Sequence, residues 1–261
     1  MPRTLQCDKL PVWIYGSNAE LGQAAAEDLA RILRSAVAAR GEAAVILATG
    51  NSQLSFMQAL RVIPDIAWDR ISVFHMDEYL GMSDRHPASF RRYIREKLTD
   101  VVRPAAFYGL QGDAADIEQE MDRYGALLAE HQPVACVLGI GENGHLAFND
   151  PPVDFATPRA IQLVSMAESA RRQQVGEGHF ATLGDVPTQA LTLTIPALLR
   201  PAHVLAVVPE ARKAAAVRAT LEGPLTPDCP ASILPTCAHA KLYLDPDSAA
   251  LLKLDAAPAI R

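Results

Sequence analysis

The chain has 261 residues, 49% apolar and 21% charged, with a formal net charge of −6. It lacks a signal-peptide pattern and any run of about 18 apolar residues that would cross a membrane, and its mixed, acidic charge argues against nucleic acid as a partner but not against a small anion. Cys7, Cys136, Cys229 and Cys237 show neither CxxC nor Cys/His ligand spacing, so no metal site and no disulfide framework is expected, and a cytoplasmic setting is.

Val12–Tyr15 reads as a first strand. Ser17-Asn18-Ala19-Glu20 has the pattern of a capping box, and Leu21, Ala25, Leu29, Ile32 and Ala36 continue at helical spacing to about Arg40, with Gly41 as the stop. Ala43–Ala48 is a second strand, ending in Thr49-Gly50-Asn51-Ser52, and a helix follows through Leu54, Met57, Leu60 and Val62 until Pro64. Ile71–Met76 is the third strand, with Asp77-Glu78-Tyr79 directly after it. Ser89–Leu98 is helical with a mostly solvated basic face (Arg91, Arg92, Arg95, Lys97), and Asp116–Glu130 is amphipathic. Val134–Leu138 is a buried strand that runs into Gly139-Ile140-Gly141-Glu142-Asn143-Gly144-His145 and on to Asp150-Pro151-Pro152. Ile161–Val164 and Ala190–Ile195 are strands on either side of a polar helix, Glu168–Val175. Val204–Val208, the helix Ala211–Leu221, the strand Lys241–Leu244 and a short helix Ser248–Leu254 complete the order. Strands alternating with helices predict a Rossmann-like, three-layer α/β/α fold with a mostly parallel sheet. No repeat or linker divides the chain, so residues 1–261 read as one domain.

Four places carry chemistry. The glycine-rich loop holds His145 and Asp150 at the carboxyl end of a strand, where parallel sheets place their sites. Thr49, Gly50, Asn51 and Ser52 precede a helix and can offer N–H groups and hydroxyls to a phosphate; read alone, they are equally a capped turn. Asp77 follows a buried strand, where partial desolvation would raise its pKa toward that of a useful base; a cap or an ion pair would explain it too. Lys213 sits in the first turn of a helix, against the dipole, and asks for an anion, although a solvated lysine is the plainer reading.

Together, Ile46–Gly50, Met76–Tyr79, Gly139–Asn149 and Lys213…Leu221-Glu222-Gly223-Pro224…Pro230-Ala231-Ser232 resemble the glucosamine-6-phosphate deaminases, in the same order and over nearly the whole chain. The wider superfamily also holds 6-phosphogluconolactonases and sugar-phosphate-sensing regulator domains. The lactonases typically have Asp-Glu-Arg where this chain has Asp77-Glu78-Tyr79, and a Gly-His-Thr-Ala-Ser-type run where it has Gly144–Asn149. The resemblance implies that an amino-sugar phosphate ring is opened, a proton moved between C2 and C1, and ammonia expelled, leaving a ketose phosphate. The expected substrate is glucosamine 6-phosphate, the product fructose 6-phosphate, and no cofactor is needed. Asp77 matches the acid that moves the proton, His145 the histidine that assists ring opening, and Thr49–Ser52 with Lys213 the phosphate site. Asp150 stands where the family usually has Glu.

Two departures stand out. Asn143 replaces a common Asp that orients the histidine, so Glu142 or Asp150 is expected to supply the charge. His179, before Phe180, replaces a phosphate-binding arginine, for which Arg171 or Arg172 is the expected substitute. Relatives include hexamers and monomers, so the resemblance allows a homo-oligomer. A 6-phosphogluconolactonase using His145 as base, or a non-catalytic sugar-phosphate-binding module, are the alternative readings.

Overall fold

The computed structural model describes residues 1–253. The chain opens with a hairpin of β1 (Arg3–Cys7) and β2 (Leu10–Ile14), paired antiparallel so that Cys7 faces Leu10. The sequence reading passed over β1. Only Leu5 on that strand is buried, and the turn is made by Asp8 at φ 49 rather than by a glycine. Helix α1 (Asn18–Arg40) then starts on Ser17, whose Oγ accepts the Glu20 N–H at 3.2 Å, and ends at Gly41 with φ 82. The expected capping box is altered: the Glu20 carboxylate accepts from the Gly16 N–H at 3.0 Å, one residue earlier than the pattern requires.

Next come β3 (Ala43–Leu47), α2 (Leu54–Leu60), β4 (Ile71–His75) and a short β5 (Asp77–Tyr79). Helix α3 (Phe90–Ile94) continues through a π-helical turn at Arg95–Thr99 into α4 (Asp100–Val102). A three-residue strand, β6 (Ala106–Tyr108), has no fully buried residue, which is why no apolar run announces it. The order continues with α5 (Ile117–His131), β7 (Ala135–Leu138), β8 (Ile161–Ser165), α6 (Glu168–Gly176), β9 (Gln189–Leu193), α7 (Ile195–Leu198), β10 (His203–Val208), α8 (Ala214–Glu222) and β11 (Ala240–Leu244). Residues 246–251 form turns instead of the expected terminal helix, because Ser248 and Asp245 bond each other's backbones; Leu254 lies outside the described residues.

Eight strands form one sheet in the order β1-β2-β11-β10-β7-β3-β4-β6, parallel except for the β1–β2 pair. Strand alternation sends its side chains to two separate cores. Ala43, Val45 and Leu47 of β3, with Ala135 and Val137 of β7, pack beneath α1 and α2. Ala44 and Ile46, with Cys136 and Leu138, pack on the other side against α5 and α8. Burial on both faces explains why these strands read as continuous apolar runs. A second, antiparallel sheet, β5-β9-β8, sits on that latter side. A third cluster, built on Tyr79, Phe90, Phe148 and Phe180, fills the space between this small sheet and α3. The basic face expected on the helix after Ser89 is not all solvated: Arg91 is buried, because the Glu78 carboxylate lies beneath it.

Candidate active site

Strands β3, β4 and β6 step outward in one direction from the centre of the sheet, and β7, β10 and β11 in the other. The loops after β3 and β7 therefore part from each other, and a crevice opens between them. The cleft there is lined by Thr49, Gly50 and Ser52 from the first loop and by Gly139, Ile140, Gly141 and His145 from the second. Asp77, Phe148, Gln173, Glu177 and Lys213 complete its wall.

Asp77 stands at the junction of the two sheets rather than at the end of β4. The chain leaves β4 at His75, and Met76 O accepts the Leu193 N–H at 2.8 Å. Asp77 then opens β5 opposite Thr192 of β9. Pinned from both sides, the carboxylate is buried, and its Oδ1 has no hydrogen-bond partner among the described residues. Burial, with the adjacent Glu78 carboxylate adding to it, pushes its pKa up to about 8. Glu78 points the other way. It accepts from the Ser89 hydroxyl (2.7 Å), the N–H groups of Tyr79, Phe90 and Arg91, and Arg91 Nε (3.3 Å). It anchors the start of α3 and does not line the cleft.

His145 approaches its own loop closely. A Cβ on Gly141 would lie 2.2 Å from the imidazole Nε2 and Cε1, so only glycine lets the ring lie flat against the backbone there. The imidazole Nδ1 is 3.2 Å from Asp150 Oδ1. Burial pushes the Asp150 carboxyl up, but His145, the Asn143 amide and the Ala167 N–H outweigh it and hold the pKa below the ordinary value. Asn143 touches the ring only indirectly. Its Nδ2 donates to Asp150 Oδ1 at 2.9 Å, and its Oδ1 accepts the His145 backbone N–H at 3.1 Å. Of the two acids considered for the missing charge, Asp150 is the one beside the imidazole; Glu142 is turned to Arg212 at 3.2 Å.

At the other end of the cleft, Gly50 adopts φ 98, and its carbonyl accepts from Gln53 N–H and the Tyr93 hydroxyl. Lys213 is buried; burial lowers its pKa, helped by Arg212, while nearby Glu177, Glu142 and Glu210 oppose the fall. Its turn starts at Glu210, a non-glycine residue at φ 84, whose N–H is gripped by both oxygens of Asp245 at 3.1 and 3.2 Å. Strain of this kind costs on the order of 1–3 kcal/mol and persists where the surroundings fix it.

The structure brings Asp77, His145, Thr49, Gly50, Ser52 and Lys213 to one cleft, with Asn143 and Asp150 behind the imidazole. Asn51 turns away: its Nδ2 donates to Glu177 O at 3.1 Å. His179 lies 3.3 Å from the Glu177 carboxylate. Arg172 is exposed and pairs with Glu168 at 2.5 Å across one turn of α6, at the rim of a neighbouring hollow that Gln173, Glu177 and Arg212 also line. Arg171 donates to the Leu183 and Val186 carbonyls. Neither arginine enters the cleft. Gln173, Gln174, Glu177 and Arg212 went unnoticed in the sequence; the signal available was the polar face of α6, at Gln173, Gln174 and Glu177. Among the described residues, no group of three or more His, Cys, Asp or Glu is placed to hold a metal ion.

Residues 16–244 match the family described as glucosamine-6-phosphate isomerases/6-phosphogluconolactonase. The glucosamine-6-phosphate deaminase of Exiguobacterium sibiricum is 37% identical over 210 residues, 80% of this chain and 81% of its own. That of Pseudarthrobacter chlorophenolicus is 34% identical over 250 residues, 94% and 93% of the two chains. Among solved structures, a monomeric glucosamine-6-phosphate deaminase superposes with TM-score 0.84 at 29% identity, covering 92% of this chain and 99% of that one. A 6-phosphogluconolactonase from Shewanella baltica shares the fold, with TM-score 0.71 at 21% identity over 90% and 96% of the two chains.

Proposed function

From the premise that this chain belongs to the glucosamine-6-phosphate isomerase/6-phosphogluconolactonase family, we propose that it converts glucosamine 6-phosphate and water to fructose 6-phosphate and ammonia. The observation that carries this reading is the Asp77 carboxyl. It is buried, has an oxygen without a hydrogen-bond partner among the described residues, and faces the same cleft as His145 and Lys213. A general base must reach the proton it takes, and its pKa is best matched near the working pH.

In the proposed reaction His145, poised by Asp150, moves the proton that opens the sugar ring. Asp77 then takes the C2 proton of the open aldehyde while the aldehyde oxygen gains a proton, and the resulting enolamine takes the C2 proton back at C1 as its nitrogen gives one up. This leaves an imine at C2, and water releases it as ammonia and a ketone. Asp77 must be ionised to take the first proton, and the substrate's ammonium beside it favours that form. Thr49, Gly50, Ser52 and Lys213 hold the phosphate. Lactone hydrolysis, the alternative chemistry in the family, has no carbon-bound proton to move.

Purified protein should release ammonia and fructose 6-phosphate from glucosamine 6-phosphate in equal amounts. The Asp77→Asn variant should turn over at least about a hundredfold more slowly, the scale of a lost general acid–base group. Absence of ammonia from glucosamine 6-phosphate and galactosamine 6-phosphate, with hydrolysis of 6-phosphogluconolactone instead, would overturn the proposal.

A further inference from the structure

The end of the cleft that should receive the phosphate already holds an anion. Glu177 caps the C-terminus of α6, and its side chain is 6% exposed. One oxygen accepts from Arg212 Nη1 at 2.6 Å and Gln173 Nε2 at 2.8 Å; the other is 3.3 Å from His179 Nε2. That second oxygen lies 3.6 Å from where a Cβ on Gly50 would be, at the centre of the Thr49–Ser52 turn. Glu177 and Lys213 line the same cleft. Burial pushes the Glu177 carboxyl up, but His179 and Arg212 override it and bring the pKa down to about 2, so the group stays ionised.

Two cations, Lys213 and Arg212, thus face three carboxylates, Glu142, Glu177 and Glu210. A phosphate dianion entering beside this set would meet net repulsion. The difficulty disappears if the incoming anion takes the place of the resident one. What holds Glu177 in place is polar rather than apolar: α6 buries only Ala170 and Gln174, and the residue after Glu177 is Gly178 at φ 81. Segments with so little apolar burial open at low cost.

We propose that Glu177 determines specificity at the phosphate subsite: its carboxylate holds the place of the phosphate in the empty cleft, and a bound phosphate displaces it and takes over Arg212 and His179. Arg212 then serves as the guanidinium that neither Arg171 nor Arg172 supplies. A sugar without a phosphate cannot make the exchange, so Glu177 also discriminates against unphosphorylated sugars. The inference rests on the reading that the substrate carries a phosphate.

Inorganic phosphate alone tests it, by calorimetry or by thermal shift against phosphate concentration, with no turnover needed. Removing the resident charge with Glu177→Gln should tighten phosphate binding about tenfold, since a subsite free only about a tenth of the time loses that factor in apparent affinity. Glu177→Asp, which keeps the charge, should bind phosphate less tightly than Glu177→Gln. Arg212→Gln in the otherwise unchanged protein should weaken binding about tenfold, the equivalent of roughly 1.4 kcal/mol. Weaker or unchanged phosphate binding in Glu177→Gln would overturn the proposal, as would an Arg212→Gln variant that binds phosphate normally. If phosphate responds as expected while glucosamine 6-phosphate yields no ammonia, the assigned reaction fails and the subsite stands.

Discussion

Two carboxylates at opposite ends of one cleft are both largely withdrawn from solvent and titrate in opposite directions. Asp77 is 6% exposed and rises to about 8; the Glu177 side chain is 6% exposed and falls to about 2. Burial raises both; at Asp77 nothing offsets it, and at Glu177 the partners outweigh it. Asp77 has Glu78 beside it and an oxygen with no hydrogen-bond partner among the described residues, whereas Glu177 accepts from Arg212 and Gln173. The Asp77 end withholds partners, and the carboxyl keeps its proton up to about neutrality. The other end supplies partners and so fixes a charge.

Glu78 provides the sharpest way to break this comparison, because it is adjacent to Asp77 and has five donors around it, yet burial outweighs them and holds its pKa above the ordinary value. Glu78→Ala would strand the Arg91 guanidinium and leave the start of α3 unanchored. Breaking such a buried pair costs about 3–5 kcal/mol. Urea unfolding of the variant should show a loss of that size; a loss below about 1 kcal/mol would mean that Asp113, 2.8 Å from Arg91, holds the segment unaided.

Asp77→Asn should have the opposite effect on stability, and only above about pH 4. The folded-state pKa of Asp77 is raised above the ordinary carboxylate value, so the fold prefers its protonated form. That contribution is complete below about pH 4 and is lost as the pH rises to about 8, at up to about 1.4 kcal/mol per pH unit. The asparagine variant escapes this loss. Its melting temperature should gain on the unmodified protein between pH 5 and pH 9, by at least about 3 °C. A difference that stays constant with pH would place Asp77 outside the desolvated environment described here.

The smallest effect is expected at Arg172. Its guanidinium pairs with Glu168 at the surface, and exposed pairs contribute about 0–1 kcal/mol. Arg172→Ala should leave KM for the sugar phosphate within about twofold. A large rise would bring α6 into contact with substrate by its outer face.

Local rules made much of this arrangement legible in advance. Buried parallel strands announced themselves through continuous apolar runs such as Val134–Leu138, and Gly41 and Ser17 marked the ends of α1. His145, Asp77 and the Thr49–Ser52 turn could be singled out because each follows a strand that the pattern already located. The strands β1 and β6 were missed because neither buries a run of side chains.

The sequence by itself determined the layered fold and which loops follow its buried strands, since both depend on residue type and spacing along one strand and its loop; the resemblance to the family is what singled out Asp77, His145 and Lys213 among them. Only the tertiary structure decided the partners. Arg212 and Glu177 are 35 residues apart, and Asp28 reaches Lys241 across 213. Whether a carboxylate ends near 8 or near 2 depends on which of these distant groups lies within a hydrogen bond of it. Charges interact through space, and the distance along the chain does not enter.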